Sequence, residues 1–133
     1  MDNMPPINNY SDQDCAHFFE SVQSNLEKQG SLLIGKPSRE ACNKVIGNKL
    51  FSITLVVSDI KTQNRVVSCY LVDKHTPIKE IKHRVADLLH MNENKLDAMF
   101  SNKLAKDTDN MVDAFNCNGR GGEQLKFFPK WGD

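Results

Sequence analysis

The residues with the widest range of chemistry in this chain are its four cysteines and four histidines. The cysteines occupy positions 15, 42, 69 and 117, so no two of them make a Cys-x-x-Cys metal or redox motif. His83 and His90 lie two turns apart on a predicted helix, too far from each other to share a metal ion without a third ligand. This spacing favours structural cysteines and solvated histidines, and it predicts no metal site.

Catalytic motifs are also missing from the sequence. Cys117 falls in a predicted loop, but a cysteine nucleophile needs a histidine base, and no family signature flanks Cys117. The chain contains no phosphate-binding glycine loop followed by lysine, no His-Glu-x-x-His and no Gly-x-Ser-x-Gly. We therefore expect a protein that is not an enzyme and that needs no cofactor.

A group of basic residues is the second candidate for chemistry. Such a group can bind phosphates, so it makes a nucleic-acid-binding accessory protein the alternative function. The same pattern is typical of the solvated face of an amphipathic helix, and no aromatic residues interleave with it to stack bases. The 17 basic and 17 acidic residues also give no net charge to attract nucleic acid. The candidate residues are Lys74, Lys79, Lys82, Arg84 and Arg120.

The composition is that of one small soluble domain, with 39% hydrophobic and 26% charged residues. No apolar run approaches the ~18 residues that a membrane span requires. The first residues, 1–6, have neither the basic nor the apolar region of a secretory signal. We therefore expect a cytoplasmic or nuclear protein without a membrane partner, while the sequence leaves its oligomeric state open, and also whether it is part of a longer chain.

Two alternating segments predict a β-hairpin. Residues 50–57 and 65–72 each repeat apolar side chains with the period of a half-buried strand, and the polar residues 58–64 separate them. Residues 78–90 then repeat apolar side chains at helical spacing, after a cap and first-turn proline at Thr76 and Pro77. A single helix is therefore expected to cross one face of a sheet.

The first 47 residues predict a helical extension. Ser11 and Asp14 form a capping box, an apolar stripe follows from Cys15 to Leu26, and Gly30 ends the helix. A second helix is expected over 38–46. The apolar residues 32–34 between the two helices have no clear assignment. Residues 1–10 are expected to form a flexible tail. The stripe either packs on the rest of the protein or docks onto a partner.

Four later segments resemble the ubiquitin-like, or β-grasp, superfamily in order and spacing, with few identities. They are residues 76–85, 96–103, 110–115 and 124–128. The resemblance covers roughly the last two thirds of the chain, 48–131. It implies an α+β fold with a mixed sheet of four to five strands and one crossing helix, preceded by the extension at 11–47.

The segment Gly119-Arg-Gly-Gly122 is similar to the Arg-Gly-Gly end of ubiquitin. In a conjugated modifier the diglycine follows the last strand, whereas here the predicted last strand, 124–128, comes after it. Cleavage at Gly122 would remove a core strand. The resemblance therefore implies a non-conjugated protein, and the segment reads as a loop in which glycine supplies positive φ.

The resemblance further implies a protein-interaction module or adaptor, because ubiquitin binds most receptors through the sheet face opposite its helix. Alternation puts Leu125 and Phe127 inside and Phe128 outside. The outward residues either bind a protein partner, whose identity the sequence does not give, or lie under the amino-terminal helices. The candidate partner-binding residues are Ile60, Met99, Lys103, Lys126 and Phe128.

Overall fold

The computed structural model describes residues 10–58 and 64–130, which contain four helices and six strands. The predicted tail at 1–9 lies outside the described residues. A short 3-10 turn, Glu93–Lys95, precedes the fourth strand. In chain order the elements are α1 (Asp12–Lys28), β1 (Leu32–Ile34), α2 (Arg39–Ile46), β2 (Phe51–Val57), β3 (Arg65–Leu71), α3 (Ile78–Leu89), β4 (Leu96–Phe100), β5 (Lys103–Ala105), α4 (Met111–Phe115) and β6 (Arg120–Pro129).

All six strands join one mixed sheet in the order β1-β3-β2-β6-β4-β5. The β1/β3 and β2/β6 pairs are parallel, and the other neighbours are antiparallel. The predicted α+β fold with a mixed sheet is confirmed, and the sheet has one strand more than the upper limit expected. The extra strand is β1, the segment without an assignment from sequence. It is buried on both faces, so its three apolar residues show no alternation.

Helix α3 packs on one face of the sheet, which we call the inner face. Ile78, Ile81 and Val85 point into the main core and are fully buried. The expected cap at Thr76 is wrong, because Pro77 occupies the N-cap position and no side chain caps the helix. The Thr76 hydroxyl instead donates to the Asp73 carbonyl at 2.6 Å, which orders the turn before the helix.

Helices α1 and α2 pack on the opposite, outer face, at its β1 end. The predicted capping box of α1 is present, with the Ser11 hydroxyl accepting from the Asp14 N–H and the Asp14 carboxylate accepting from the Ser11 N–H, both at 3.1 Å. Gln23 of α1 donates to the Leu33 carbonyl at 2.9 Å, which satisfies a backbone group on the edge strand. A second buried cluster, the helix-covered cluster, consists of Cys15, Phe19, Leu33, Ala41 and Cys42.

The apolar stripe of α1 is therefore covered within the chain. Cys15 and Phe19 are buried, and Val22 and Leu26 pack against the same cluster. Because Cys15 and Phe19 are fully buried in this packing and Val22 and Leu26 are partly covered, the structure favours the first of the two alternatives, in which the stripe packs on the rest of the protein. An apolar helix face of this kind normally stabilises the fold by burial.

Strand β6 begins four residues earlier than expected. Arg120 already pairs with Ser52, and Gln124 pairs with Thr54, so β6 has two extra residues over this step and the ladder is irregular. The prediction of a loop over 119–122 is wrong from Arg120 onward. Only Gly119 fits it: its φ is +73°, and a Cβ there would lie 2.2 Å from Phe51 Cδ2.

Candidate protein-interaction surface

Strand pairing aligns one row of side chains across the outer face. Met99 of β4 pairs with Leu104 of β5 on one side and with Lys126 of β6 on the other. Lys126 pairs with Val56 of β2, which pairs with Val66 of β3. Directly paired residues share a face, so these five side chains stand side by side. We call Leu104, Met99, Lys126, Val56 and Val66 the outer row.

The two ends of the outer row are exposed although they are apolar. Leu104 is 65% exposed and Val66 is 66% exposed, while Val56, near the middle of the row, is only 9% exposed. Sequence reasoning named Met99 and Lys126 but missed Leu104, Val56 and Val66. Alternation of β2 and β3 could have placed Val56 and Val66 outward, but it could not show which outward positions stay uncovered.

Phe128 extends the outer row toward the end of β6. It shares a face with Lys126, pairs with Asp97 of β4 and is half-buried. Leu125 and Phe127 point into the main core and are fully buried, as the alternation predicts. The predicted outward direction of Phe128 is therefore correct. Asp97, its partner on β4, brings a negative charge to the same part of the sheet as the positive charge of Lys126.

Two other candidate residues do not join the outer row. Lys103 pairs with Phe100, whose ring packs at 5.0 Å from the ring of Phe115 against the main core, so Lys103 lies at the inner side of the short β4/β5 hairpin. Leu104, the next residue, takes the outward position instead. Ile60 lies outside the described residues.

The amino-terminal helices cover a different part of the outer face. Tyr70 pairs with Leu33 and with Ser52, and it packs against the helix-covered cluster together with Val72. Within the described residues, that cluster and its partly buried neighbours include no side chain from β4, β5 or β6. None of the five outer-row residues belongs to the helix-covered cluster, although Val66 lines a cleft together with Glu27 and Lys28 at the end of α1.

Two of the basic candidates are neutralised by carboxylates. Lys82 is only 7% exposed, and its ammonium group donates to Asp107 at 2.7 Å. That hydrogen bond, with the charge of Lys82, holds the pKa of the Asp107 carboxyl below its usual range. Arg84 donates to Glu27, which ties α3 to α1 around the β1 edge of the sheet.

The remaining basic candidates are separated from one another. Lys79 is exposed on α3, Lys74 lies in the turn before α3, and Arg120 opens β6 beside Ser52. On α3 itself, the His83 ring lies 2.8 Å from Glu93, and this acidic partner raises the pKa of His83. The basic residues thus form no continuous stripe along α3 for nucleic acid.

All four cysteines are buried in this fold. Burial raises the pKa of Cys117 to about 11, and the nearby Glu123 carboxylate adds to this shift. Burial likewise raises the pKa of Cys69 to about 12. Since the thiolate is the reactive form, these raised pKa values disfavour Cys69 and Cys117 as nucleophiles. Within residues 10–58 and 64–130, no three His, Cys, Asp or Glu side chains form a group that could hold a metal ion.

The comparison with known proteins identifies the fold but no close relative. No protein-family model and no curated protein matches the chain. The solution structure of the N-terminal ubiquitin-like domain of the protein 4931431F19Rik matches with a TM-score of 0.50 and 13% identity, over 64% of this chain and 79% of that one. The fold is ubiquitin-like. The ubiquitin of Caldiarchaeum subterraneum is also similar, with a TM-score of 0.47 and 9% identity, over 61% of this chain and 94% of that one.

The diglycine has an unusual place in this ubiquitin-like fold. Gly121 and Gly122 lie inside β6, between Arg120, which pairs with Ser52, and Gln124, which pairs with Thr54. They are followed by Leu125 and Phe127 of the main core. This diglycine is therefore part of the sheet, and it is not a tail that follows the last strand. Of the helices in the described segments, none combines the length and the apolar character that a membrane span needs.

Proposed function

We propose that this chain is a non-enzymatic ubiquitin-like module that binds a protein partner through the outer row of its sheet. The observation that supports this most directly is the exposure of Leu104 and Val66, at 65% and 66%, on the same face that α1 and α2 cover elsewhere. Apolar side chains that stand in one row of a sheet face, are exposed at both ends of that row and lie outside the helix-covered cluster support an interaction site there.

The chemistry of the outer row favours a partner of mixed character. Met99 and Val56 flank Lys126, so a single positive charge stands within an apolar strip. Methionine adapts to differently shaped apolar surfaces. A partner segment with aliphatic or aromatic side chains and a carboxylate opposite Lys126 would fit this arrangement, with Phe128 as a further apolar contact.

The same proposal makes the protein a recognition module and not a conjugated modifier. Cleavage after Gly122 would remove Leu125 and Phe127, which are fully buried in the main core. An amino-terminally tagged chain in a lysate with active conjugation enzymes should therefore give a single band. A ladder of larger adducts that disappears in the Gly121→Ala, Gly122→Ala variant would contradict this part of the proposal.

Capture of partners by matched variants tests the interaction surface. The test variant carries Leu104→Ser, Met99→Ser and Lys126→Glu. The control variant carries Ile46→Ser and Glu20→Lys, two changes at exposed positions on the helical extension. We expect a partner that binds the native chain and the control variant equally and does not bind the test variant. Thermal unfolding of all three chains checks that each is folded.

A purified partner then allows the contact to be located. Amide shifts in a ¹H–¹⁵N spectrum should change on β4, β5, β6 and the paired end of β2, and a calorimetric titration should show loss of affinity for the test variant alone. A partner whose binding is the same for both variants, or whose shifts map to α1 and α2, would contradict the assignment to the outer row.

A further inference from the structure

A cleft at the opposite corner of the molecule gathers three lysines from separate segments. Its volume is about 400 Å³, and its lining includes Lys44, Lys49, Lys74, Asp73, Phe51 and Gly119. This is within the size range of pockets that hold a small ligand or a single side chain. None of the lining residues belongs to the outer row, so the cleft is independent of the proposed partner surface.

The end of α2 brings two of these lysines together. The Lys49 N–H donates to the Lys44 carbonyl at 2.9 Å, and Asn48 between them has a left-handed φ of 53°. This reversal is a common way to end a helix, and it turns the chain back over the last helical turn. The Lys44 ammonium also donates to the Val72 carbonyl at 2.9 Å, which fixes its position.

The third lysine lies on an ordered turn. Asp73 accepts the His75 N–H on its carboxylate at 2.9 Å, and the Asp73 carbonyl accepts the Thr76 N–H at 3.1 Å. The carboxylate of Asp73 is therefore engaged with the turn that carries Lys74. In the described part of the chain, neither Lys49 nor Lys74 forms an ion pair, while Lys44 lies 3.5 Å from the largely exposed Glu40.

Gly119 contributes backbone without a side chain to the lining of the cleft. Gly119 packs against Phe51 so closely that a Cβ would lie 2.2 Å from its ring. The Gly119 carbonyl accepts the Ser52 N–H at 2.9 Å, which fixes this part of the lining to β2. The lining of the cleft thus combines three lysine residues with a stretch of backbone that is hydrogen-bonded to the sheet.

We propose that this cleft binds a phosphate monoester group. The lining has three lysines, the Asp73 carboxylate and His75, which gives an excess of two positive charges when histidine is counted as neutral, in a protein with no net charge on the same count. A phosphate monoester carries about 1.5–2 negative charges at neutral pH and three acceptor oxygens, which matches this excess and the number of lysine donors. A single carboxylate, or one phosphodiester, supplies only half of that charge.

The phosphate can come from a small molecule or from a phosphorylated side chain, and one titration series separates the two. The full chain, labelled with ¹⁵N, is titrated with inorganic phosphate, with O-phosphoserine and with a short phosphoserine peptide, at constant ionic strength set by chloride. Saturable amide shifts at Lys44, Lys49, Lys74 and Gly119 are expected, with millimolar affinity for inorganic phosphate. Tighter binding of the peptide assigns the group to a protein, and equal or weaker binding assigns it to a small molecule.

Two variants of equal net charge provide the control. Lys49→Gln with Lys74→Gln removes two cleft lysines, and we expect binding to weaken about tenfold or more, because two charge-assisted contacts are lost. Lys28→Gln with Lys95→Gln removes two exposed lysines elsewhere, and binding should not change. The positions in both variants are exposed, so both chains should unfold at nearly the native temperature.

Three results would overturn the proposal. The first is non-saturable shifts spread over all exposed lysines. The second is equal weakening of binding in both double variants, which would indicate general charge attraction. The third is an oligonucleotide with only diester phosphates that binds the cleft as tightly as O-phosphoserine, which would point to nucleic acid.

Discussion

The outer face of the sheet has two parts that differ in what covers them. At the β1 side, Leu33 and Tyr70 lie under α1 and α2 in the helix-covered cluster. Across β5, β4, β6 and the far ends of β2 and β3, the outer row carries apolar side chains on both sides of Lys126, and its end residues Leu104 and Val66 are largely exposed. The same face of the sheet thus has one part that is packed within the fold and another that is exposed to solvent.

The largest expected effect concerns the helical extension. Removal of residues 1–47 deletes β1, α1 and α2. It also removes four fully buried side chains, those of Phe19, Leu32, Leu33 and Ile34. Each large buried side chain contributes about 1.5–3 kcal/mol, and the whole protein is expected to be stable by only about 5–15 kcal/mol. We expect the remaining chain not to fold.

The amide spectrum of the shortened chain measures this directly. Poor dispersion and binding of a hydrophobic dye are the expected results. A well-dispersed spectrum with cooperative unfolding would show that residues 48–131 form an independent domain. In that case the two parts of the outer face would differ much less in their importance for the fold.

Two phenylalanines, one in the helix-covered cluster and one beside the outer row, allow the contribution of each part of the outer face to stability to be compared. Phe19→Ala, in the helix-covered cluster, should lower the free energy of unfolding by about 3–5 kcal/mol, because it leaves a large cavity. Phe128→Ala, at the end of the outer row, should lower it by about 1–2 kcal/mol, because Phe128 is only half-buried. Urea denaturation with a common slope measures both. Equal losses would mean that Phe128 also belongs to a core.

The Lys82–Asp107 ion pair, on the side of the sheet that α3 covers, should make the free energy of unfolding depend on pH. Lys82→Met keeps the apolar stem and removes the charge, and we expect a loss of about 1 kcal/mol at neutral pH, since Asp107 remains 53% exposed. The folded pKa of Asp107 is lowered, so the contribution of the pair is present at neutral pH and disappears as the pH falls through that lowered pKa.

The difference in unfolding free energy between the native chain and Lys82→Met should therefore shrink on acidification. Lys79→Met, at an exposed position on the same helix, is the control and should have a much smaller effect, because the charge of Lys79 is the smallest of the contributions that lower the pKa of Asp107. The sequence alone predicted both lysines to be solvated. A constant difference across the acidic range would mean that the pair does not stabilise the fold through Asp107.

The elements predicted from the sequence are those whose signals are local. The alternation of 51–57 and 65–71 and the helical period of 78–89 can each be recognised within a short window of sequence. Strand β1 was not predicted, because its three apolar residues pair in parallel with β3 far along the chain. The carboxylate partners of Lys82 and Arg84, Asp107 and Glu27, are also distant in sequence, so the local pattern on α3 could not predict them.

For the candidate surface too, local sequence signals gave the direction of single side chains but not the contacts between distant segments. Alternation placed Lys126 and Phe128 outward, the resemblance to ubiquitin implied the same for Met99, and the strand register agrees. It could not show that Leu104, not Lys103, stands beside Met99, because that depends on the pairing after the turn. Whether the helices cover the outer face depends on where α1 docks, which no local pattern specifies.

The smallest expected effect is on the outer row itself. Threonine is β-branched like valine, so Val66→Thr keeps the side-chain shape that strands favour, and Leu104→Thr introduces that shape. Neither change should therefore weaken its strand. Both side chains are largely exposed, so little buried apolar area is lost. We expect each change to alter the free energy of unfolding by no more than about 0.5 kcal/mol. Leu33→Ala, on the same face but in the helix-covered cluster, should lower it by about 2–5 kcal/mol. Urea denaturation of the three variants measures the contrast. If Val66→Thr and Leu104→Thr were as damaging as Leu33→Ala, the outer row would be packed within the fold, and its apolar residues would need no partner to explain them.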